Sequence, residues 1–313
     1  MHKSIILENF DKEMIERAKK LNLDSIFLPA ENLTEQKIIE IKDSFERNIL
    51  IYAIVEIFEG KNLQKEFHDA IPVDKDGKEI SQIDYFPVCP THDGVRKKAQ
   101  DSIQSTMKSG IDGLWLSNLR YATKWDQKDP QILDTCYCNR CLKKFEEFIG
   151  ESIEGKDMEE KYLHIDGSYY HEWLQFKSNQ ITSIAIDAKA EISKHDKDLK
   201  LGLFVVPWKE KEYGAGLQRI VAQDLEKLSE FIDELSPMLY YHQIEESADW
   251  INGMVEFYWN AAMPFLPVIE AYEKISDDEL KKAIEFATKS PSSGVCIKSW
   301  DAKLDIVKNS YLR

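Results

Sequence analysis

Four cysteines carry the most specific local chemistry in the sequence. Cys136, Cys138 and Cys141 are spaced C-x-C-x-x-C, and Cys89 precedes the helical segment that leads back towards them. Four thiolates satisfy a tetrahedral zinc ion with no open position, so the set points to a structural zinc site and not to a catalytic one. Reduced, unliganded thiols are the simpler alternative for the same pattern. A zinc ion there would staple the 59–90 stretch to the 122–141 stretch. Cys296 lies within an apolar run and reads as an inert core thiol.

Carboxylates and aromatic rings form the second group. Glu270 ends the apolar run Phe265-Leu-Pro-Val-Ile, and Glu56 interrupts Ile51–Phe58. Near them in kind are Ser117, Asn118 and Arg120 after Leu-Trp-Leu, Trp208 after Val-Val-Pro, Tyr241 and His242, and Lys298 and Trp300. Rings that stack on the apolar face of a sugar, with carboxylates, amides and cations on its hydroxyls, are a carbohydrate-binding set. Glycosidic cleavage needs, in addition, two carboxyl groups flanking the bond, one as acid and one as nucleophile or base. Glu270 and Glu56 are the catalytic candidates. Asn118, Arg120, Trp208, Tyr241, His242, Lys298 and Trp300 are the substrate-binding candidates. The plainer alternatives are rim ion pairs for the charged groups and packing under loops for the indoles.

The elements that would position these residues alternate throughout. Apolar strand-like runs occur at 4–7, 25–29, 48–57, 112–119, 199–206, within 232–241, at 264–270 and at 294–299. Segments of helical period separate them, among them 11–21, 91–109, 169–195, 217–231, 247–261 and one opened by the capping box Ser276-Asp-Asp-Glu279. Eight strand–helix units with connections of this length predict parallel strands closed into a single (β/α)8 TIM barrel, one domain over residues 1–313. An open doubly wound sheet is the alternative, but no Gly-x-Gly-x-x-Gly follows any strand. The long insertions, about 59–90 and 122–168, follow strands three and four, so both belong to the carboxyl-end face where barrel sites are built.

Composition narrows the partners. The chain is 43% hydrophobic and 11% aromatic, as expected of a folded domain. Its formal charge of −15 repels phosphate backbones, which argues against nucleic acid. A neutral or cationic small substrate is compatible with that charge. No run approaches the roughly 18 apolar residues that span a bilayer, so no membrane partner is expected. The opening Met-His-Lys-Ser-Ile-Ile-Leu-Glu has no extended apolar run or small-residue cleavage site, and the expectation is a cytoplasmic protein. No organic cofactor motif is present.

A resemblance can be placed on these residues. Val88-Cys-Pro-Thr-His-Asp-Gly-Val-Arg96, Asp112-Gly-Leu-Trp-Leu, Cys136-Tyr-Cys-Asn-Arg-Cys141-Leu-Lys-Lys-Phe145, Tyr213-Gly-Ala-Gly and Leu235-Ser-Pro-Met-Leu-Tyr-Tyr-His242 resemble bacterial glycoside-hydrolase-like barrel proteins over about residues 50–300. The cysteine spacing also resembles the zinc cluster of family 42 β-galactosidases. The resemblance implies a retaining-glycosidase type of barrel, with Glu270 in the place of the strand-seven nucleophile; it supplies no second carboxylate, and Glu56 is taken as proton donor from its own position in the sequence. It also exposes a departure. Strand four in these proteins carries a carboxylate, whereas here the stretch is Ser117-Asn118-Leu119-Arg120, with Ser117 where the barrel group has aspartate.

Two readings follow. One is a glycoside hydrolase working through Glu270 and Glu56. The other is a barrel that binds carbohydrate but has lost hydrolysis with the strand-four carboxylate. A metal-dependent hydrolase is disfavoured because no His-x-His closes strand one and strand five carries no histidine. A sugar-phosphate enzyme is disfavoured because Ser290-Pro-Ser-Ser-Gly294 is no glycine-rich phosphate cup.

Overall fold

The computed structural model describes residues 1–8, 11–31, 33–45, 48–80, 84–195, 198–260 and 263–311. In chain order the first half runs β1 (His2–Ile6), α1 (Lys12–Ala18), β2 (Ser25–Pro29), α2 (Glu35–Ser44), β3 (Leu50–Glu56), α3 (Lys61–Glu66), α4 (Asp93–Met107), β4 (Gly113–Ser117), α5 (Asn139–Ile149) and α6 (Met158–Ser168). The second half runs α7 (Tyr170–Ile192), β5 (Lys200–Val205), α8 (Gly216–Arg219), α9 (Leu225–Leu228), β6 (Glu234–Pro237), α10 (Ala248–Asn260), β7 (Val268–Glu270), α11 (Asp277–Ala287), β8 (Gly294–Lys298) and α12 (Leu304–Tyr311). The expected helix over 247–261 ends at Asn260, since residue 261 lies outside the described residues.

All eight strands are parallel, in the order β6-β5-β4-β3-β2-β1-β8-β7. Parallel bridges Leu235↔Phe265 and Met238↔Val268 join β6 to β7 and close the sheet. The expected (β/α)8 barrel is therefore the observed architecture. Strands buried on both faces explain why the sequence shows continuous apolar runs here and not alternation.

Large rings fill the barrel interior. Tyr52 stacks on Trp115 at 4.5 Å between centroids, Phe27 meets Trp115 edge-on at 4.9 Å, and Trp115 Nε1 donates to Ser236 Oγ at 2.9 Å. Glycines make the room. A Cβ at Gly202 would stand 2.0 Å from Trp115 Cε2, and one at Gly113 would stand 2.8 Å from Tyr52 Cδ1. Gly202→Ala is expected to destabilise the fold by at least about 1–3 kcal/mol, the usual result of overpacking. Gly253→Ala on α10, where an added Cβ meets only Lys209 Nζ at 3.5 Å, should instead be neutral or slightly stabilising. Urea denaturation of both variants checks the contrast.

A second, outer layer packs the sheet against the helices. Its caps follow local chemistry: Asp11, Thr34, Asp157 and Ser276 side chains each accept an amide proton from the first turn of their helices. The expected capping box at Ser276 is only half made. Ser276 Oγ accepts from Glu279 N at 3.2 Å, but Glu279 Oε1 accepts from Ala248 N at 2.8 Å and so caps α10.

The insertions after β3 and β4 lean on each other. Asp74 bridges Thr135, and Tyr137 N donates to Val73 O at 2.9 Å. The expected helix at 217–231 is broken into α8 and α9, separated by Ala222 with a φ of 57°.

Candidate functional site

A cavity of about 610 Å³ opens at the carboxyl ends of the strands and runs past β3 to Ser102, Ser105 and Thr106 on α4. Glu8, Glu31 and Glu56 line it from the ends of β1, β2 and β3, Ser117 from β4, Tyr240 from beyond β6, and Lys298 from β8. Ile6, Ile54, Phe204 and Met238 supply apolar floor and wall. Acidic groups therefore outnumber cationic ones around the opening. Lys298 Nζ lies 3.6 Å from Glu8 Oε1 and 5.3 Å from the centroid of the Tyr240 ring.

Two carboxylates are held in opposite ways. Glu56 lies opposite Ser117 in the β3–β4 register, is exposed, and accepts from Asn118 Nδ2 at 2.7 Å. Asn118 adopts a left-handed φ of 51°, a conformation asparagine tolerates better than most residues, and this turns its amide towards Glu56. Glu270 lies opposite Lys298 in the β7–β8 register and has no exposed surface. Its Oε1 accepts from Gln243 N at 3.1 Å, while Oε2 has no protein partner among the described residues. Burial pushes the Glu270 carboxyl up to about 7, opposed by the Gln243 and His242 amides and by Lys298.

Arg120 is buried below the mouth. It donates to Asn118 Oδ1 at 2.8 Å, to Thr123 O at 3.1 Å and to Tyr85 Oη at 3.3 Å, and its guanidinium lies 3.7 Å from Glu59. It braces the two insertions and, through Asn118, orients Glu56. Burial pushes the Glu59 carboxyl up, against the pull of Arg120.

The cysteine cluster sits where the two insertions meet. The sulfurs of Cys89, Cys136, Cys138 and Cys141 all lie within 4.8 Å of one another. Cys89 Sγ is 3.4 Å from Cys141 Sγ and 3.8 Å from Cys138 Sγ. A tetrahedron of sulfurs with ~2.3 Å metal bonds has edges of ~3.8 Å, so the four could hold a metal ion with little adjustment. Donors surround them: Val73 N reaches Cys136 Sγ at 3.4 Å, and Thr91 Oγ1 lies 3.1 Å from Cys89 Sγ and 3.2 Å from Cys141 Sγ. Hydrogen bonds from the other cysteines hold the Cys138 thiol far below its ordinary value, while burial pushes the Cys136 and Cys141 thiols well up. Cys138 is the half-buried member and borders a cavity of about 410 Å³ that Asp69 and Arg140 also line, which gives an ion a way in.

Comparison with known proteins bears on this arrangement. No family model and no curated protein sequence matches the chain. Solved structures do. A β-galactosidase from the Antarctic haloarchaeon Halorubrum lacusprofundi superposes with a TM-score of 0.69 at 11% identity, covering 100% of this chain and 58% of its own. The β-galactosidase of the psychrophilic Marinomonas ef1 gives 0.71 at 9% identity, again over 100% of this chain and 58% of its own. The glycoside hydrolase domain of PelA from Pseudomonas aeruginosa gives 0.51 at 10% identity, covering 95% of this chain and 94% of its own. The fold is that of the glycoside-hydrolase TIM barrels. The chain spans little more than half the length of the two β-galactosidases.

Within that fold the sequence-derived residues divide. Glu56, Lys298 and, through its bond to Glu56, Asn118 gather at the mouth. Glu270 has the inward parity of Val268 and stands opposite Lys298, but it has no exposed surface and does not line the cavity. Trp208 packs on Tyr213 at 4.7 Å, over Gly216. Tyr241 is buried in the outer layer, with its hydroxyl lacking a protein partner among the described residues. Trp300 is buried there too, its Nε1 donating to Ile6 O at 3.1 Å. His242 is exposed, and its backbone, not its ring, faces Glu270. Gln243 is an anchoring residue the sequence reading passed over, and Tyr240, a strand-end residue by position, is a wall residue where the reading chose Tyr241. The signal for Tyr240 was parity: Ser236, Met238 and Tyr240 alternate with Leu235, Leu239 and Tyr241, and the polar Ser236 marks the inward set.

Among the described residues, no helix is long and apolar enough to cross a membrane.

Proposed function

We propose that the chain is a carbohydrate-active barrel of the glycoside-hydrolase type, with Glu270 and Glu56 as its carboxyl pair and zinc as the metal of the four-cysteine site. The observation that carries this reading is the acidic cavity at the carboxyl end of the strands, with Glu56 lining it and Glu270 buried opposite Lys298, which also lines it. Cleavage of a glycosidic bond needs a protonated carboxyl on the leaving oxygen and an ionised one across the anomeric carbon. Sequence placement alone made Glu270 the nucleophile. Its environment favours the reverse: a carboxyl whose burial outweighs the Gln243 and His242 amides and Lys298 holds its proton to near neutral pH and suits the acid. Glu56, exposed and fixed by Asn118, suits the nucleophile or base. Asn118, Lys298 and Tyr240 would engage the sugar, with Arg120 fixing Asn118. Trp208, Tyr241 and Trp300 would support the wall from behind, and His242 would meet substrate only at the rim. The zinc would supply no chemistry at the mouth. With four protein ligands its part is structural.

One observation favours the second reading, a barrel that binds sugars without cleaving them. Ser117, not a carboxylate, faces the cavity from β4, and Glu270 has no exposed surface. Assay of the purified protein against aryl glycosides and oligosaccharides, with calorimetric binding on the same panel, separates the two. Turnover that Glu56→Gln lowers by on the order of 10²-fold or more supports the hydrolase. Sugar binding with no turnover on any member supports the binding barrel.

A further inference from the structure

Glu270 has inward parity on β7 and yet no exposed surface. The turn that follows β6 lies against it. Gln243 N donates to Glu270 Oε1 at 3.1 Å, and the Gln243 side-chain amide donates to Tyr272 Oη at 2.7 Å. The turn closes on itself through Gln243 N and Ile244 N to Tyr240 O, at 3.1 and 3.3 Å, and Glu246 N to Tyr241 O at 2.8 Å. Residues 242–246 are half-buried or exposed, whereas Leu239, Tyr240 and Tyr241 before them are buried. Glu270 Oε2 is left without a protein partner among the described residues. An acceptor buried and unpaired is costly, and such a group in a native fold calls for a reason.

A short hairpin in the insertion after β4 holds this turn. Lys124 and Gln131 pair as an antiparallel bridge, and Thr123 Oγ1 donates to Gln131 O at 2.9 Å. The base of the hairpin is fixed in buried structure: Thr123 N donates to Tyr85 Oη at 2.8 Å, and Arg120 donates to Thr123 O at 3.1 Å. Its tip is held more lightly. Trp125 stacks on Tyr240 with centroids 5.5 Å apart, and Lys128 Nζ lies 2.5 Å from Glu245 Oε2. That ion pair is 62% exposed on one side and 60% on the other, and pairs of this kind contribute little. Glu245 also adopts a left-handed φ of 58°, a conformation unfavourable for glutamate. We propose that the 240–246 turn is a lid on Glu270, latched by Trp125 and Lys128 of the 124–131 hairpin, and that substrate reaches Glu270 only with the latch parted. The inference rests on the reading of Glu270 as a site carboxyl. In the closed form Glu56 lines the cavity and Glu270 does not. Parting the rings frees a face of Tyr240, already a lining residue, and lets the turn carry Gln243 off Glu270 Oε1, so that both carboxyls border one space.

The test labels carboxyl groups of the folded protein with a water-soluble carbodiimide and excess glycinamide, read by peptide mass mapping. Wild type is compared with Lys128→Glu and Trp125→Ala. In wild type, Glu270 should label slowly beside exposed Glu56. Lys128→Glu, which sets a repulsion against Glu245, should speed labelling of Glu270 by about three- to tenfold. Trp125→Ala should speed it by on the order of tenfold or more. Glu234, buried at the other end of β6, is the internal reference and should not change. Wild-type labelling of Glu270 in both folded variants overturns the inference. An equal rise at Glu234 is general loosening and overturns it too. Glu270 labelled as fast as Glu56 in wild type shows that nothing covers it, with the same consequence. Hydrogen exchange on wild type serves where a variant does not fold. Amides of 243–246 should exchange faster than those of β6 and β7 by on the order of tenfold or more, and rates equal to the strands count against a lid. No arm needs a sugar. A protein that labels as expected but binds and cleaves no glycoside keeps the lid and loses the glycosidase role of Glu270.

Discussion

Replacing Glu270 by glutamine is expected to lower turnover of any glycoside the protein cleaves by about 10²–10⁴-fold, the loss typical of removing a positioned acid or base. The isostere keeps the volume and can still accept from Gln243 N, so binding should persist while kcat falls. The pH profile then decides the role. As proton donor, Glu270 must hold its proton, and with a carboxyl at about 7 the activity of wild type should hold below neutral pH and fall above it. As nucleophile it must be ionised, and activity would instead rise through the same region. A rising limb near pH 7 would therefore return Glu270 to the role its sequence position suggests.

The same carboxyl makes a stability prediction that needs no substrate. Its folded value of about 7 stands above the ordinary 4.5, so between those pH values the folded state holds a proton that the unfolded chain has released. Stability associated with protonated Glu270 is fully present below about 4.5 and lost as pH rises through about 7. The loss, from a shift of this size, is on the order of 3 kcal/mol. Glu270→Gln does not titrate there, so its stability relative to wild type should improve from about pH 5 to about pH 7 and level off above. A difference independent of pH, measured by urea unfolding, would mean that Glu270 is not held protonated by burial. A buried carboxyl that costs stability at neutral pH is the kind of burden carried by a functional site.

The barrel was legible because its strands are buried on both faces, which writes them as unbroken apolar runs, and because no short turn joins them. The site was legible only in part, for two physical reasons. Strand-end position does not say which way a side chain points once regular alternation stops. Ser299 has a left-handed φ of 54°, and this takes Trp300 out of the inward series of Cys296 and Lys298 and buries it against the Ile6 carbonyl. Tyr241 was a candidate beside Tyr240, but the strand parity sends Tyr240 to the cavity and Tyr241 to the helices. The second reason is that charge identity does not reveal burial. Glu270 and Glu56 look alike in sequence, yet one has no exposed surface and the other stands in solvent. The burial of Lys177 on α7 was invisible for the same reason, as a lysine in a helix whose neighbours Phe176 and Ile181 carry the apolar pattern. The cysteines were the opposite case, because spacing alone brought three together and the loop after β3 supplied the fourth.

Stripping the metal, or replacing Cys136 by serine, is expected to cost more than about 4 kcal/mol of stability, since binding free energy at such a site is folding free energy. Cys136 is the choice because it is fully buried and also accepts from Val73 N, so its loss both opens the tetrahedron and loosens one insertion from the other. The damage should be local before it is global. The barrel strands are held by their own ladder and interior rings, whereas the insertions meet through the cluster, the Asp74–Thr135 bridge, the Tyr137–Val73 bond and the Tyr85–Thr123 contact that Arg120 braces. Protease cleavage should therefore appear within 59–90 and 122–141 in the zinc-free protein while the far-ultraviolet circular dichroism of the barrel persists. Cys296→Ser, in the barrel interior, should leave zinc content at the wild-type level. Acid should mimic the chelator, because the thiols must lose protons to bind and regain them as pH falls. If elemental analysis finds less than one zinc per chain in protein purified without chelator, and added zinc neither binds nor stabilises it, the cysteines are a reduced packing cluster. The two insertions would then be held by hydrogen bonds and burial alone, and Cys136→Ser would cost no more than an ordinary core substitution.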